Sequence, residues 1–260
     1  MKRYPFYCFL FVLVASSLQA QDLSLYQKRW FVQNKDTLPY RILLPQNFDP
    51  AQKYPLVLFL HGAGERGFDN EKQLTHGAKL FVKDSIRTLF PAIVVFPQCA
   101  ENSYWSNVNI ERDSTGNRTF HFKTGGEPTV AMRLVQRLLT QLTDNYPVDR
   151  KRIYVGGISM GGMGTFEIVR RNPQTFAAAF PICGGVNPRT ARKLSKTAWW
   201  VFHGAQDDIV LPIYSEQMVN ALKRHKAEVL FRLYPEANHN SWDAAFAERD
   251  LLPWLFSHHK

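Results

Sequence analysis

Ile153-Tyr154-Val155-Gly156-Gly157-Ile158-Ser159-Met160-Gly161-Gly162-Met163-Gly164-Thr165-Phe166-Glu167-Ile168-Val169 is the stretch on which the reading of the fold turns. It opens on a short apolar run that reads as a buried strand. Gly157 to Gly161 then spell G-x-S-x-G, and the residues from Gly162 onward read as a helix. Strand, sharp turn and helix in that order put Ser159 on a strained turn with its hydroxyl lifted clear of the sheet. Glycine belongs beside such a turn because a side chain there would collide with neighbouring backbone. The helix that follows aims its positive N-terminus at the same point. Ser159 is therefore a candidate nucleophile. A glycine-rich turn with an idle serine is the plainer reading, and the strand before and helix after weigh against it.

Outward from that stretch, short apolar runs alternate with helical patterns. Lys28 to Gln33 and Tyr40 to Leu44 read as an edge hairpin, and Asn47-Phe48-Asp49-Pro50 as a turn. Pro55 to Leu60 is continuously apolar, as suits a central parallel strand buried on both faces. It ends in His61-Gly62-Ala63-Gly64-Glu65-Arg66-Gly67. Asn70 and Gln73 suggest a capping box for a helix reaching Arg87. Ala92 to Phe96 is the next strand. Residues 100–126 are polar and read as a long connection, a length usually tied to function or to disorder. Pro128 to Thr143 has helical spacing at Val130, Leu134, Leu138 and Leu142. Further strands are expected at Phe176 to Ile182, Trp199 to Phe202 and Val229 to Tyr234, with helices from Pro212 to His225 and around Trp242 to Phe256. Strands alternating with helices predict an α/β fold: a doubly wound, mostly parallel sheet with helices on both faces.

The 260 residues are 45% hydrophobic, enough for one full core. Residues 1–20 read as a secretory signal: Lys2 and Arg3, an apolar segment from Pro5 to Ala15 too short to anchor in a bilayer, then small residues up to Ala20. Residues 21–260 are expected to form a single catalytic domain, exported to the periplasm or beyond, with no membrane attachment after signal removal. The formal charge of +10 becomes +8 once Lys2 and Arg3 leave. The basic residues are scattered, with short clusters at Lys151-Arg152, Arg170-Arg171 and Arg189 to Lys196, and none is interleaved with aromatics. That argues for a solvated basic surface and against nucleic acid. Cys8 goes with the signal. Cys99 and Cys183 can pair in an oxidising compartment, or stay as two buried thiols, since each follows a core strand. No Cys/His spacing for zinc is present, and nothing in the sequence calls for a cofactor.

In sheets of this kind, functional groups gather in the loops that leave the C-terminal ends of the strands. Ser159 follows one strand, Asp207 and Asp208 a later one, and His239 the last. A serine hydroxyl needs a base within hydrogen-bond reach, and an imidazole held by a carboxylate meets that need. Of eight histidines, His239 alone fits; His61 and His203 precede glycines at strand ends and read as loop-shaping residues. The residues alone leave Asp207 and Asp208 both open. A developing oxyanion needs backbone N–H donors. The Met160 N–H is one, and the loop His61 to Gly64 supplies another, at Ala63 first and Gly64 second. In the long polar connection, Tyr104 and Trp105 stand near its start. Trp105 either lines the substrate pocket beside Ser159 or packs the connection onto the sheet.

With these residues in place the chain resembles the α/β-hydrolase superfamily, and within it the secreted bacterial esterases grouped with dienelactone-hydrolase-like and feruloyl-esterase-like proteins, also labelled predicted peptidases. Pro55 to Gly67, Gly157 to Gly164, Phe180-Pro181-Ile182-Cys183-Gly184-Gly185, His203-Gly204-Ala205-Gln206-Asp207-Asp208 and His239-x-x-Trp242 carry the resemblance. It implies the α/β-hydrolase fold and a Ser-Asp-His triad. The acid of that pattern stands four residues after the histidine of the His-Gly pair, which falls on Asp207. A proline normally follows the position of Val210; here Leu211 intervenes before Pro212, which implies an acid loop one residue longer. Dienelactone hydrolases proper use a cysteine nucleophile, so Ser159 points to ordinary carboxylic esters, small or polysaccharide-linked. The alternative is a serine peptidase of prolyl-oligopeptidase type, though such enzymes usually carry a large gating domain. A non-catalytic binding protein is a third reading, and the intact set of Ser159, Asp207 and His239 stands against it.

Overall fold

A computed structural model describes residues 22–116 and 118–260. The expected signal segment, with Cys8, lies outside the described residues. Among the described residues ten strands are formed: β1 (Gln27–Gln33), β2 (Asp36–Leu43), β3 (Tyr54–Leu60), β4 (Ile93–Pro97), β5 (Val108–Arg112), β6 (Arg118–Phe122), β7 (Val148–Ile158), β8 (Ala178–Ile182), β9 (Ala198–Gly204) and β10 (Val229–Tyr234). The helices are α1 (Ala78–Phe81), α2 (Asp84–Leu89), α3 (Val130–Asn145), α4 (Met160–Arg171), α5 (Ala191–Leu194), α6 (Ile213–Arg224), α7 (Trp242–Ala247) and α8 (Leu251–Ser257).

Eight strands form one sheet in the order β1-β2-β4-β3-β7-β8-β9-β10. β1 and β2 make the antiparallel edge hairpin, and β4 onward run parallel. The continuous apolar run of β3 has its cause here. Leu56, Leu58 and Leu60 point into one core, while Val57 and Phe59 point into the other. β7 divides in the same way, with Ile153 and Val155 on one face and Tyr154 and Ile158 on the other. A strand with both faces covered must be apolar at every position. This is the doubly wound sheet the sequence predicts. No helix of the described residues is long and apolar enough to cross a membrane.

Three expectations are corrected. The helix from Asn70 to Arg87 is broken into a 3-10 turn at Lys72–Leu74, α1 and α2. Asn70 and Gln73 form no capping box; their buried side chains bond to each other, Gln73 Nε2 to Asn70 Oδ1 at 2.6 Å. Asp69 Oδ1 instead accepts from the Glu71 and Lys72 N–H groups ahead of the 3-10 turn, whose N-cap Glu71 has no side-chain cap bond. Gly77, at φ +80°, then interrupts the chain, and a Cβ there would meet the Phe246 ring at 2.9 Å. The closing helix is likewise two, α7 and α8. Residues 100–126 are not an irregular connection: they hold the hairpin β5–β6.

That hairpin is fastened at the C-terminal edge of the main sheet. Phe120 packs with Met163 of α4 and Val210 of the loop after β9, and Tyr104, Phe122, Ile209 and Tyr214 close around them. Its return is gripped from below. Glu167, 2% exposed, bonds both Arg170 and Arg171, and these donate to the Thr124 and Gly126 carbonyls. The Arg170-Arg171 cluster is thus a structural clamp and not a free basic patch.

Candidate active site

Ser159 joins β7 to α4 at φ 53°, ψ −115°, a conformation that costs on the order of 1–3 kcal/mol. The surroundings impose it. The Ser159 N–H donates to the Ile182 carbonyl at 2.9 Å, and its own carbonyl accepts from the Met163 N–H at 3.0 Å. Close packing does the rest. A Cβ on Gly161 would lie 1.9 Å from the Leu60 carbonyl oxygen, and one on Gly157 would lie 2.4 Å from that of Gly161. Glycine at both positions lets the start of α4 sit directly against the end of β3. The serine, the helix N-terminus and the His61-Gly62-Ala63-Gly64 loop are brought to one place as a result.

His239 comes from the loop after β10. That loop crosses the end of β9 so closely that a Cβ on Gly204 would lie 2.2 Å from the Asn238 carbonyl oxygen. Gln206 N–H, in the acid loop, bonds the Ala237 carbonyl at 2.9 Å, so the two loops are stitched together. His239 Nε2 lies 2.9 Å from Ser159 Oγ, and His239 Nδ1 lies 2.8 Å from Asp207 Oδ2. With Nδ1–H donating to the carboxylate, Nε2 faces the serine hydroxyl as an acceptor, the tautomer a general base requires. Trp242 stands edge-on to the imidazole with ring centroids 5.6 Å apart.

Asp207 is 3% exposed. Its Oδ1 accepts from the Ile209 and Val210 N–H groups at 2.9 Å each, and its Oδ2 accepts from His239. Burial raises its pKa, but bonds from His203, His239 and the Val210 N–H outweigh burial and hold the carboxyl well below the usual carboxylate range. Asp208 is exposed and makes no such contact. The extra residue in the loop is absorbed outward: Leu211 is 45% exposed, and Asp207 stays buried beside His239.

Met160 is the first residue of α4, so its N–H has no acceptor one turn back in the helix and faces the serine end. Ala63 begins a 3-10 turn, Ala63–Glu65, in the same way, with Gly64 following it. Arg66 braces that turn, its Nε donating to the Ala63 carbonyl at 3.0 Å and Nη1 to the Glu101 carbonyl at 2.9 Å.

The expectation of Trp105 in a substrate pocket is corrected. Its side chain is fully buried, the indole N–H donates to the His61 carbonyl at 3.1 Å, and a Cβ on Gly164 would meet Trp105 Cβ at 2.5 Å. It packs the 100–126 segment onto α4 and the His61 loop. His61 itself is a loop-shaping residue, as read: its Nδ1–H donates to the Gly62 carbonyl at 2.6 Å and its Nε2 accepts from the Cys99 N–H at 2.9 Å. Cys99 and Cys183 are both free and buried. Burial pushes the Cys99 thiol up to about 12 and the Cys183 thiol higher still, so neither is a ready nucleophile.

His203 reads in the sequence as a loop-shaping residue, and its contact with the Asp207 carboxylate is not foreseen there. It lies fully buried behind Asp207, with Nε2 3.1 Å from Asp207 Oδ2. The signal was present in the four-residue spacing from His203 to Asp207 across the end of β9. A groove of about 310 Å³ beyond Phe68, bordered by Lys35, Asn102 and Val130, contains none of Ser159, Asp207 or His239.

Residues 34–250 match the family model described as "Putative esterase". A thermostable esterase of known structure aligns at TM-score 0.81 with 31% identity, over 91% of this chain and 64% of its own. A bifunctional acetylxylan esterase/xylanase of Neocallimastix patriciarum is 27% identical over 170 residues, 65% of this chain and 21% of that protein. A ferulic acid esterase of Anaeromyces mucronatus, solved in complex with ferulic acid, shares the fold at TM-score 0.62 and 15% identity, covering 85% of this chain and 86% of its own. The chain thus spans about a fifth of the bifunctional relative and a little under two thirds of the thermostable esterase. These likenesses agree with the sheet order in giving the α/β-hydrolase fold, and the match over residues 34–250 makes the chain a member of the esterase family.

Proposed function

We propose that the chain is a secreted serine carboxylic ester hydrolase that works through an acyl-enzyme on Ser159, with acyl or feruloyl esters, including those borne by polysaccharide, as its substrate class. The observation that carries this is the continuous relay Ser159 Oγ–His239 Nε2, His239 Nδ1–Asp207 Oδ2, set on a strained strand-to-helix turn. Ser159 Oγ attacks the ester carbonyl while His239 Nε2 takes its proton. The carbonyl oxygen becomes an oxyanion against the Met160 N–H and the Ala63 N–H, with Gly64 the second choice for the latter donor. The intermediate collapses as His239 returns the proton to the departing alcohol oxygen. A water, deprotonated by the same nitrogen, then releases the acid and restores Ser159. Asp207 holds the imidazole tautomer throughout and stabilises the imidazolium that forms. Export rests on the pattern of residues 1–20. The acyl range rests on the relatives whose names mention acetylxylan and ferulic acid.

The test is turnover of p-nitrophenyl esters of increasing chain length, feruloyl esters and peptide anilides by the purified protein. Ester hydrolysis is expected, and Ser159→Ala should lower it by about 10³-fold or more with an unchanged melting curve. Faster anilide cleavage would point to a peptidase. Retention of more than about a tenth of the turnover in the mutant would remove Ser159 from its role.

A further inference from the structure

His203 ends β9 with a fully buried side chain that the steps above do not use. Its Nε2 lies 3.1 Å from Asp207 Oδ2, the oxygen that also accepts from His239, and 2.7 Å from the Val210 carbonyl oxygen. Both neighbours are acceptors, so Nε2 carries a proton. On the other side of the ring, Nδ1 lies 2.7 Å from Ser215 Oγ, which in turn lies 3.0 Å from the Gly184 carbonyl oxygen.

We propose that His203 is a positioning residue for ester hydrolysis, a second imidazole on the triad carboxylate that keeps Asp207 Oδ2 aimed at His239. The inference rests on the ester-hydrolase reading. Its argument is one of anchorage. Oδ1 is held by two N–H groups of Asp207's own loop. Oδ2 has two partners outside that loop stretch. His239 is one of them, and it sits on a part-exposed loop and changes its protonation in every cycle. His203 is the other, fixed at a strand end in the core. With the ring proton on Nε2, Nδ1 accepts from the Ser215 hydroxyl, which fixes the ring's orientation, and the Ser215 oxygen stands 3.0 Å from the Gly184 carbonyl oxygen. His203 thereby ties the acid loop to the first turn of α6 and to the end of β8, next to the elbow.

Two substitutions separate this role from simple filling of the core. In His203→Gln the amide nitrogen reaches close to the position of Nε2 and can still donate to Asp207 Oδ2. In His203→Asn the amide reaches only the position of Nδ1, keeps Ser215, and leaves Oδ2 with His239 alone. On p-nitrophenyl acetate, His203→Asn should lower kcat about 10- to 100-fold, the scale known for losing an outer partner that orients a metal-binding side chain. KM should stay within about twofold, because nothing that touches substrate has changed. His203→Gln should recover most of the loss. Equal losses in both variants, a kcat within about threefold of wild type in His203→Asn, or a change confined to KM would overturn the proposal. If His203→Asn does not fold, Ser215→Ala removes the ring's outer support without touching Asp207; a folded Ser215→Ala with unchanged kcat overturns it equally. Should the wild type hydrolyse no ester, the functional reading fails on its own. The far-downfield imidazole N–H proton signals of the wild type and of His203→Asn then decide the matter: an unmoved His239 Nδ1–H resonance rules the contact unimportant.

Discussion

Asparagine at position 207 is a severe test, because the carboxylate there is surrounded by donors only. Oδ1 faces the Ile209 and Val210 N–H groups, and Oδ2 faces His239 Nδ1 and His203 Nε2. An amide has one oxygen to offer. Turned so that its NH₂ faces the loop backbone, it leaves two buried N–H groups unpaired, at about 1–3 kcal/mol each. Turned the other way it keeps both backbone bonds and presents its NH₂ to the imidazoles. His239 can answer by moving its proton from Nδ1 to Nε2, and the His203 Nε2–H keeps the Val210 carbonyl oxygen at 2.7 Å, which together cost far less, so this second arrangement wins. The proton of Nε2 then points at Ser159 Oγ, and the serine has no base. A wrong tautomer in a Ser-His-Asp relay lowers kcat roughly 10⁴-fold, about 5.5 kcal/mol of barrier. Asp208→Asn, at an exposed site, should stay within about twofold. Steady-state kinetics of both variants on p-nitrophenyl acetate are the assay. Asp207→Asn retaining more than about a tenth of wild-type kcat, or Asp208→Asn proving the more damaging, would refute the argument.

Burial pushes the His61 imidazole down to about 4, so the unfolded chain takes up a proton near 6.5 that the native state refuses. Stability should therefore fall as the pH drops from 6.5 to 4, by up to about 3 kcal/mol, with a smaller fall in His61→Gln; equal pH slopes in urea titrations would exclude His61 as the cause. Asp207 acts in a lower window, since its depressed pKa gives stability that is present above about pH 4 and lost as the pH falls further. Trp105→Ala removes a buried indole and its bond to the His61 carbonyl, and should cost about 3–5 kcal/mol while lowering kcat/KM alike for acetate and feruloyl esters. A loss on feruloyl esters alone, with an unchanged melting temperature, would return Trp105 to the pocket. Gly161→Ala, whose methyl would meet the Leu60 carbonyl oxygen, should destabilise by more than about 2 kcal/mol and abolish turnover; circular dichroism melts and the same ester assay report both.

What could be read from the chain was whatever depends on local pattern. β3 and β7 announce themselves because a strand covered on both faces has no polar position, and the elbow because strand, G-x-S-x-G and helix are contiguous. Asp207 became distinguishable from Asp208 only through the spacing of the family that the chain resembles, since either carboxylate satisfies the local chemistry. The failures share one cause: a partner distant in sequence. Asn70 and Gln73 look like a cap until Gln98, from the loop after β4, claims the Asn70 N–H with its side-chain oxygen at 2.7 Å. Residues 108–122 are too polar to signal strands, because the hairpin buries one aromatic face against α4 and the acid loop and leaves the other wet. Trp105 is as compatible with a pocket as with a core until the close approach of Gly164 is known.

The clamp formed by Glu167, Arg170 and Arg171 has a bearing on how such a protein can diversify. The helix that begins beside Ser159 ends in the grip on the 124–126 backbone, so the base of the hairpin and Ser159 are held by one element. Breaking a buried ion pair from one side typically costs 3–5 kcal/mol, which makes the base of the hairpin a poor place for variation. Its tip, residues 113–116, is exposed. A hairpin grafted from a relative would need its arginine-gripped return along with it, whereas an insertion at the tip can add new recognition surface and leave the attack geometry alone.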